Sequence, residues 1–284
     1  MRYSLASRFR GTIIGALLGD LGSSSGDMPV NSGEIAVLGI ESLISLSRLD
    51  LDDWVARQQK EFPDLGKSSR LSEAIIASLP VTLFFHENTV KLRENLISAI
   101  AIWSDSPVVR DGTLAVGYAL AKSLTEKLDS KTLIAETISF IGSTPTSLPQ
   151  ALLKVNELLI QGAELEKVQA ELSQLEKHSQ AIAIAFYCFL STLEDFRLSM
   201  RLRFNSSPDL RATSAITGAL SGAYNSTSGI PVTWLLGLKN SKQIIELSDR
   251  LAAVWSGALY APDAENLQQE SAIVYYSPRV IKSR

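Results

Sequence analysis

Carboxylate oxygen is the donor that hard divalent cations prefer, so Asp209 is the first residue to consider. It lies in residues 207–220, "SPDLRATSAITGAL", where a turn runs into a helix of small residues. One carboxylate holds such an ion weakly, and several oxygens must converge to hold it well. Two residues on, where a second carboxylate would complete a metal-binding turn, the chain has Arg211. A guanidinium is a permanent cation whose planar fork suits carboxylate or phosphate. Two uses for Arg211 follow. One is a local salt bridge with Asp209 or Glu194; the other is a grip on an anionic ligand or a partner's acidic side chain. Asp209 itself can pair with Arg211 or cap the helix that follows. Towards the N-terminus, Asp20 is followed by "DMPVNSGE", residues 27–34. Asn31 and Ser32 offer neutral oxygens. Asp27 is either a loop acid beside a pocket or a solvated one. Asp20 reads as a capping or turn-stabilising carboxylate. Glu34 suits the positive end of a helix dipole.

The remaining reactive side chains point to less. His86 and His178 are too far apart for a metal-ligand spacing and read as cap or surface residues. Cys188 is the only cysteine, which excludes an intrachain disulfide; in "AIAIAFYCFL" it reads as a buried, inert thiol. There is no phosphate loop, no dinucleotide fingerprint and no Ser–His–Asp pattern.

Helical periodicity supplies the elements that must position these residues. In residues 8–21 the glycines at 11, 15 and 19 share one face and invite a close helix neighbour. A loop over 22–33 precedes a helix over 33–49, and Asp50 or Asp52 caps the next. Pro80 is expected to interrupt or kink a helix over 71–85. Helices follow at 89–104, after Asp111 or Gly112, and at 130–142, 149–161 and 163–176. The run "HSQAIAIAFYCFLSTL" is apolar almost all round and reads as a central buried helix. Residues 193–205, 212–225 and two further segments complete some ten to twelve helices. Strand signals are scarce; the best, "SAIVYYSPRVI", is weak. The expected fold is all-α, a helical domain over residues 1–261 with an irregular tail over 262–284.

Three segments carry a resemblance. "RFRGTIIGALLGDLG" (8–22), "SEAIIASLPVTLFF" (72–85) and "SPDLRATSAITGALSGAYNSTSGIPVTW" (207–234) resemble the ADP-ribosylglycohydrolases of the dinitrogenase-reductase-activating type. In the last segment Gly218, Ala219, Gly222, Ala223, Ile230, Pro231 and Trp234 stand in the family's order. The resemblance implies a compact, multi-helix single domain. It also implies a pair of magnesium or manganese ions that hold the ribose of ADP-ribose while its bond to a leaving group is hydrolysed. A Thr-Asp-Asp-Thr turn and an Asp-x-Asp-Thr turn supply the ligands in active members. Here the first turn falls at "VNSG" (30–33), without a carboxylate. In the second, Asp209 matches the first aspartate, Arg211 replaces the second and Ala212 the threonine. Ser104 stands where active relatives often carry a histidine. At about 4 Å and an effective dielectric near 20, each unit-charge contact is worth on the order of 4 kcal/mol, and arginine reverses its sign. The expectation is therefore a non-catalytic protein without a metal cofactor, whose vestigial cleft is lined by Asp20, Asp27, Asn31, Ser32, Asp209 and Arg211. Such a protein would bind an ADP-ribose-like ligand or a protein partner. The alternative is an active glycohydrolase with an altered or missing metal centre.

Composition bounds the setting. The chain has 284 residues, 45% of them hydrophobic, and a net charge of -3, which argues against a nucleic-acid partner. The basic group Arg197, Arg201, Arg203 is a local exception. No apolar run is long enough to span a membrane, and no signal-peptide pattern opens the sequence. A cytoplasmic location is expected.

Overall fold

Small residues at four-residue spacing bring together two helices that lie two hundred residues apart. In the computed structural model, which describes residues 3–21, 32–63, 70–202 and 209–259, these are α1 (Leu5–Leu21) and α12 (Leu210–Asn225). They run antiparallel. A methyl group on Gly15 would fall on the backbone carbonyl of Gly218, one on Gly11 on that of Gly222, and one on Gly19 on that of Ser214. Glycine costs a helix about 1 kcal/mol against alanine; here the missing Cβ is what permits backbone-to-backbone contact.

Between these two come α2 (Ser32–Leu46), α3 (Leu51–Glu61), α4 (Leu71–Phe85), α5 (Thr89–Trp103), α6 (Pro107–Leu124), α7 (Leu133–Ile141), α8 (Leu148–Ile160), α9 (Leu165–Leu172), α10 (Lys177–Ser191) and α11 (Phe196–Leu202). A 3₁₀ turn at Thr227–Gly229, α13 (Val232–Gly237) and α14 (Ser241–Trp255) follow α12. The all-α expectation holds: there are fourteen α-helices and no strand among the described residues. The weak strand signal at 271–281 and the tail from 262 lie outside them, as do Asp27 and Asn31. One connected core extends from Phe9 to Val254. α10 is buried from Ser179 to Phe189, as its all-round apolar sequence predicts.

Several boundaries differ from the sequence expectation, each for a local reason. α6 starts at Pro107, ahead of Asp111 and Gly112, because proline at the first helical position loses no hydrogen bond. Asp111 then lies inside the helix, 1% exposed. It accepts hydrogen bonds from Arg110 and from the hydroxyls of Thr144 and Thr146, the latter at 2.8 Å, and so ties the α7–α8 connection down. Asp50, not Asp52, caps α3, accepting from the Asp53 amide at 3.1 Å. α11 begins only at Phe196, with the Asp195 carboxylate accepting from the Leu198 amide. α4 passes unbroken through Pro80. A proline inside a helix costs about 3 kcal/mol, and twelve buried residues of α4, Pro80 among them, hold the segment in place.

Candidate functional site

The site is built where α1 ends and α12 begins. Asp209 takes a non-helical conformation before α12, and its Oδ1 accepts the Ala212 amide at 2.9 Å. This satisfies one of the amides a helix start leaves unpaired. Two residues on, Arg211 reaches back across the helix pair. Its Nη2 donates to Asp20 Oδ2 at 2.6 Å and its Nε to Asp20 Oδ1, a two-pronged ion pair. The side chains are 5% exposed for Asp20 and 18% for Arg211. The contact spans 191 positions of sequence, and the glycine register of α1 on α12 delivers it. Gly11, Gly15 and Gly19 descend α1 as Gly222, Gly218 and Ser214 ascend α12, so Asp20 falls opposite the first turn of α12.

This corrects two expectations. The partner that holds the Arg211 fork is Asp20, where Asp209 or Glu194 was expected. Asp20, expected as a cap, is instead one half of a buried ion pair. The hydrogen bonds to Asp20 raise the pKa of Arg211 above its ordinary value, against the opposing effect of burial, and the charges of Glu73 and Asp209 act in the same direction. Glu73 went unnoticed in the sequence. It lies on the first turn of α4, where Arg70 donates to it at 2.7 Å. The one available signal was an acid three residues after an arginine at a helix start.

Of the six candidate residues, the structure brings together Asp20, Asp209 and Arg211. Ser32 opens α2, but its side chain lies outside the described set, as do all of Asp27 and Asn31. Among the described residues, no group of three or more His, Cys, Asp or Glu side chains is placed to hold a metal ion.

The sequence of residues 31–259, most of the chain, matches the family model for ADP-ribosylglycohydrolase. The chain belongs to the ADP-ribosylglycohydrolase family. A solved structure described as an "ADP-ribosylglycohydrolase-related protein complex" superposes with a TM-score of 0.68 at 19% identity, covering 88% of this chain and 99% of its own. That likeness is one of fold. No curated protein matches.

Ser104, His86 and Cys188 of this ADP-ribosylglycohydrolase family member are all buried among its helices. Ser104, at the position read as a histidine in active relatives, is the C-cap of α5 and is 7% exposed. His86 is at the end of α4, as expected, but it is 3% exposed rather than at the surface. Its Nδ1 lies 2.7 Å from the Leu83 carbonyl oxygen, and its ring packs on Phe9 and Trp255. Burial lowers its pKa. Burial likewise pushes the Cys188 thiol up to about 12, which leaves it protonated and unreactive. A shallow groove of about 400 Å³ between α5 and α7 includes Arg93, which donates to the Phe140 and Ile141 carbonyls at the end of α7. No described catalytic group lies there.

Proposed function

We propose that this family member does not hydrolyse ADP-ribosyl bonds and works by binding. The observation that carries the reading is the Arg211–Asp20 pair. Both oxygens of Asp20 accept from a guanidinium that occupies the position of an aspartate in the family's second metal turn. The carboxylate next to it, Asp209, is engaged as a helix cap. A tethered cation at this place repels divalent ions and occupies the oxygens they would need. The described residues therefore do not fit a two-metal centre, and no chemical step is routed through one. Two of the Arg211 donors are committed to Asp20, which favours an internal role for this arginine over capture of an ADP-ribose-like anion. A protein partner is then the better-supported form of binding. A cytoplasmic location remains part of the proposal; no helix among the described residues is long and apolar enough to cross a membrane.

The test is a turnover assay on an ADP-ribosylated arginine substrate with excess manganese or magnesium, following released ADP-ribose. The reading predicts release at the buffer rate. Metal-stimulated release that Asp209→Ala abolishes would overturn it and establish the active alternative.

A further inference from the structure

Where α1, α4 and α14 meet, two aromatic rings enclose a histidine. His86, at the end of α4, is 3% exposed. The Phe9 ring of α1 meets it edge-on at 5.6 Å, and the Trp255 ring of α14 lies at 4.8 Å with a 40° tilt. Phe9 and Trp255 themselves approach to 6.4 Å. The Leu83 carbonyl can only accept, so His86 Nδ1 carries a proton and donates to it at 2.7 Å. In the neutral ring Nε2 then bears the lone pair. Among the described residues, no acceptor stands ready for a second N–H. Burial, the largest effect, lowers the pKa of His86; the Leu83 hydrogen bond and the charge of Glu87 oppose it. The other nearby charges are engaged or remote from the ring. On α1, Arg8 is turned to the Ser123 carbonyl and to Glu126, and Arg10 donates to Asp249 of α14 at 2.5 Å. Between Asp249 and Trp255 the one remaining charged residue is Arg250.

We propose that this cluster is a pH-sensitive latch: protonation of His86 releases Trp255 and opens the last turn of α14 while the rest of the core stays folded. An imidazolium held here is a buried charge with a second N–H that lacks an acceptor. The Trp255 ring attracts a cation, but one such contact is the weaker effect where a charged group is left without a hydrogen-bond partner. The ring regains water most readily on the Trp255 side. Phe9 is fully buried inside α1, whose glycine face is locked against α12. Trp255 is the last residue of α14, is only partly buried, and is followed by exposed Ser256, Gly257 and Ala258. Helix ends open locally at far lower cost than core segments. Further up α14, buried Ile244, Leu247 and Leu251 and the Arg10–Asp249 pair hold the helix on the body. The latch is closed above about pH 6.5, where His86 is neutral, and closure is lost as the pH falls towards the depressed folded value. The inference stands apart from the binding reading, and its failure would leave the turnover test untouched.

The experiment is NMR of the full chain from pH 8 to 5, following the two histidine rings and the four tryptophan indoles. His178→Gln and Trp255→Phe assign the signals. The latch predicts that His86 titrates with a midpoint below 6.5 and that the Trp255 indole moves with the same midpoint, while Trp54 and Trp103 stay fixed. The amides of residues 256–259, which donate to the Ala252, Ala253 and Val254 carbonyls, should exchange faster in that window. After correction for the chemical rate, the gain should reach about tenfold per pH unit. His86→Gln should abolish both changes. Asp249→Asn removes the nearby carboxylate whose own pKa burial raises, and it should leave both in place. The wild-type comparison of His86 with Trp255 depends on no variant folding. A Trp255 signal that stays fixed while His86 titrates, or that moves only together with Trp54 and Trp103, overturns the proposal, as does a His86 ring that stays neutral to pH 5. So does a transition that persists in His86→Gln or disappears in Asp249→Asn.

Discussion

At the scale of single residues, the Arg211–Asp20 pair is the most consequential contact. Removing one member of a buried ion pair strands the other, typically at 3–5 kcal/mol. Arg211 retains some exposure, so Arg211→Ala should lower the free energy of urea unfolding by about 3 kcal/mol. Arg211→Lys keeps the charge but loses the fork and should fall between the two. Equal stability of all three proteins would show that the pair contributes nothing to the fold. His86 gives a pH prediction with a definite sign. Its pKa is lowered from 6.5 by burial, so the unfolded chain binds the proton more tightly than the folded one. This contribution to stability is complete above about pH 6.5 and is lost as the pH falls through the depressed folded value. Urea midpoints measured from pH 7.5 to 5 should decline, and His86→Gln should remove part of the decline. The need of Arg211 for a carboxylate was legible in the sequence; the identity of that carboxylate was not. Asp20 is 191 positions away, and only the register of two glycine stripes, each legible alone, places it opposite.

At the scale of elements, the α1–α12 contact governs the site. Gly15→Ala and Gly218→Ala each place a methyl group on the opposing backbone, which cannot move as a side-chain tip can. Each should cost at least about 3 kcal/mol or prevent folding. Gly237→Ala, at a position with open space around its Cβ, should stay within about 0.5 kcal/mol of wild type. Thermal melts of the three variants separate a packing role from a mere helix-propensity effect. The small-residue face of α1 and the buried α10 could be read from periodicity alone. Starts and stops were less legible where local hydrogen bonding decides them. Pro107 opens α6 earlier than Asp111 suggested, and the Asp195 turn shortens α11. Pro80 did not stop α4 because burial of the whole helix outweighs one lost hydrogen bond, a balance that cannot be read from the proline itself.

At the scale of the whole molecule, the family fold is present, and the proposed reading is that the residues at its helix ends do not suit the family's chemistry. One hydrophobic core joins α1 to α14, and the helix ends that would present metal ligands are joined by an internal cation. The reading separates fold from activity on the ground that a scaffold is specified by packing along entire helices, whereas a metal centre depends on a few carboxylates. The most direct measurement is a calorimetric titration of manganese into the metal-stripped full chain. The account predicts no saturable heat. Stoichiometric binding of manganese, lost in Asp20→Asn or Asp209→Ala, would contradict it, because those carboxylates would then serve a metal in preference to Arg211 and the start of α12.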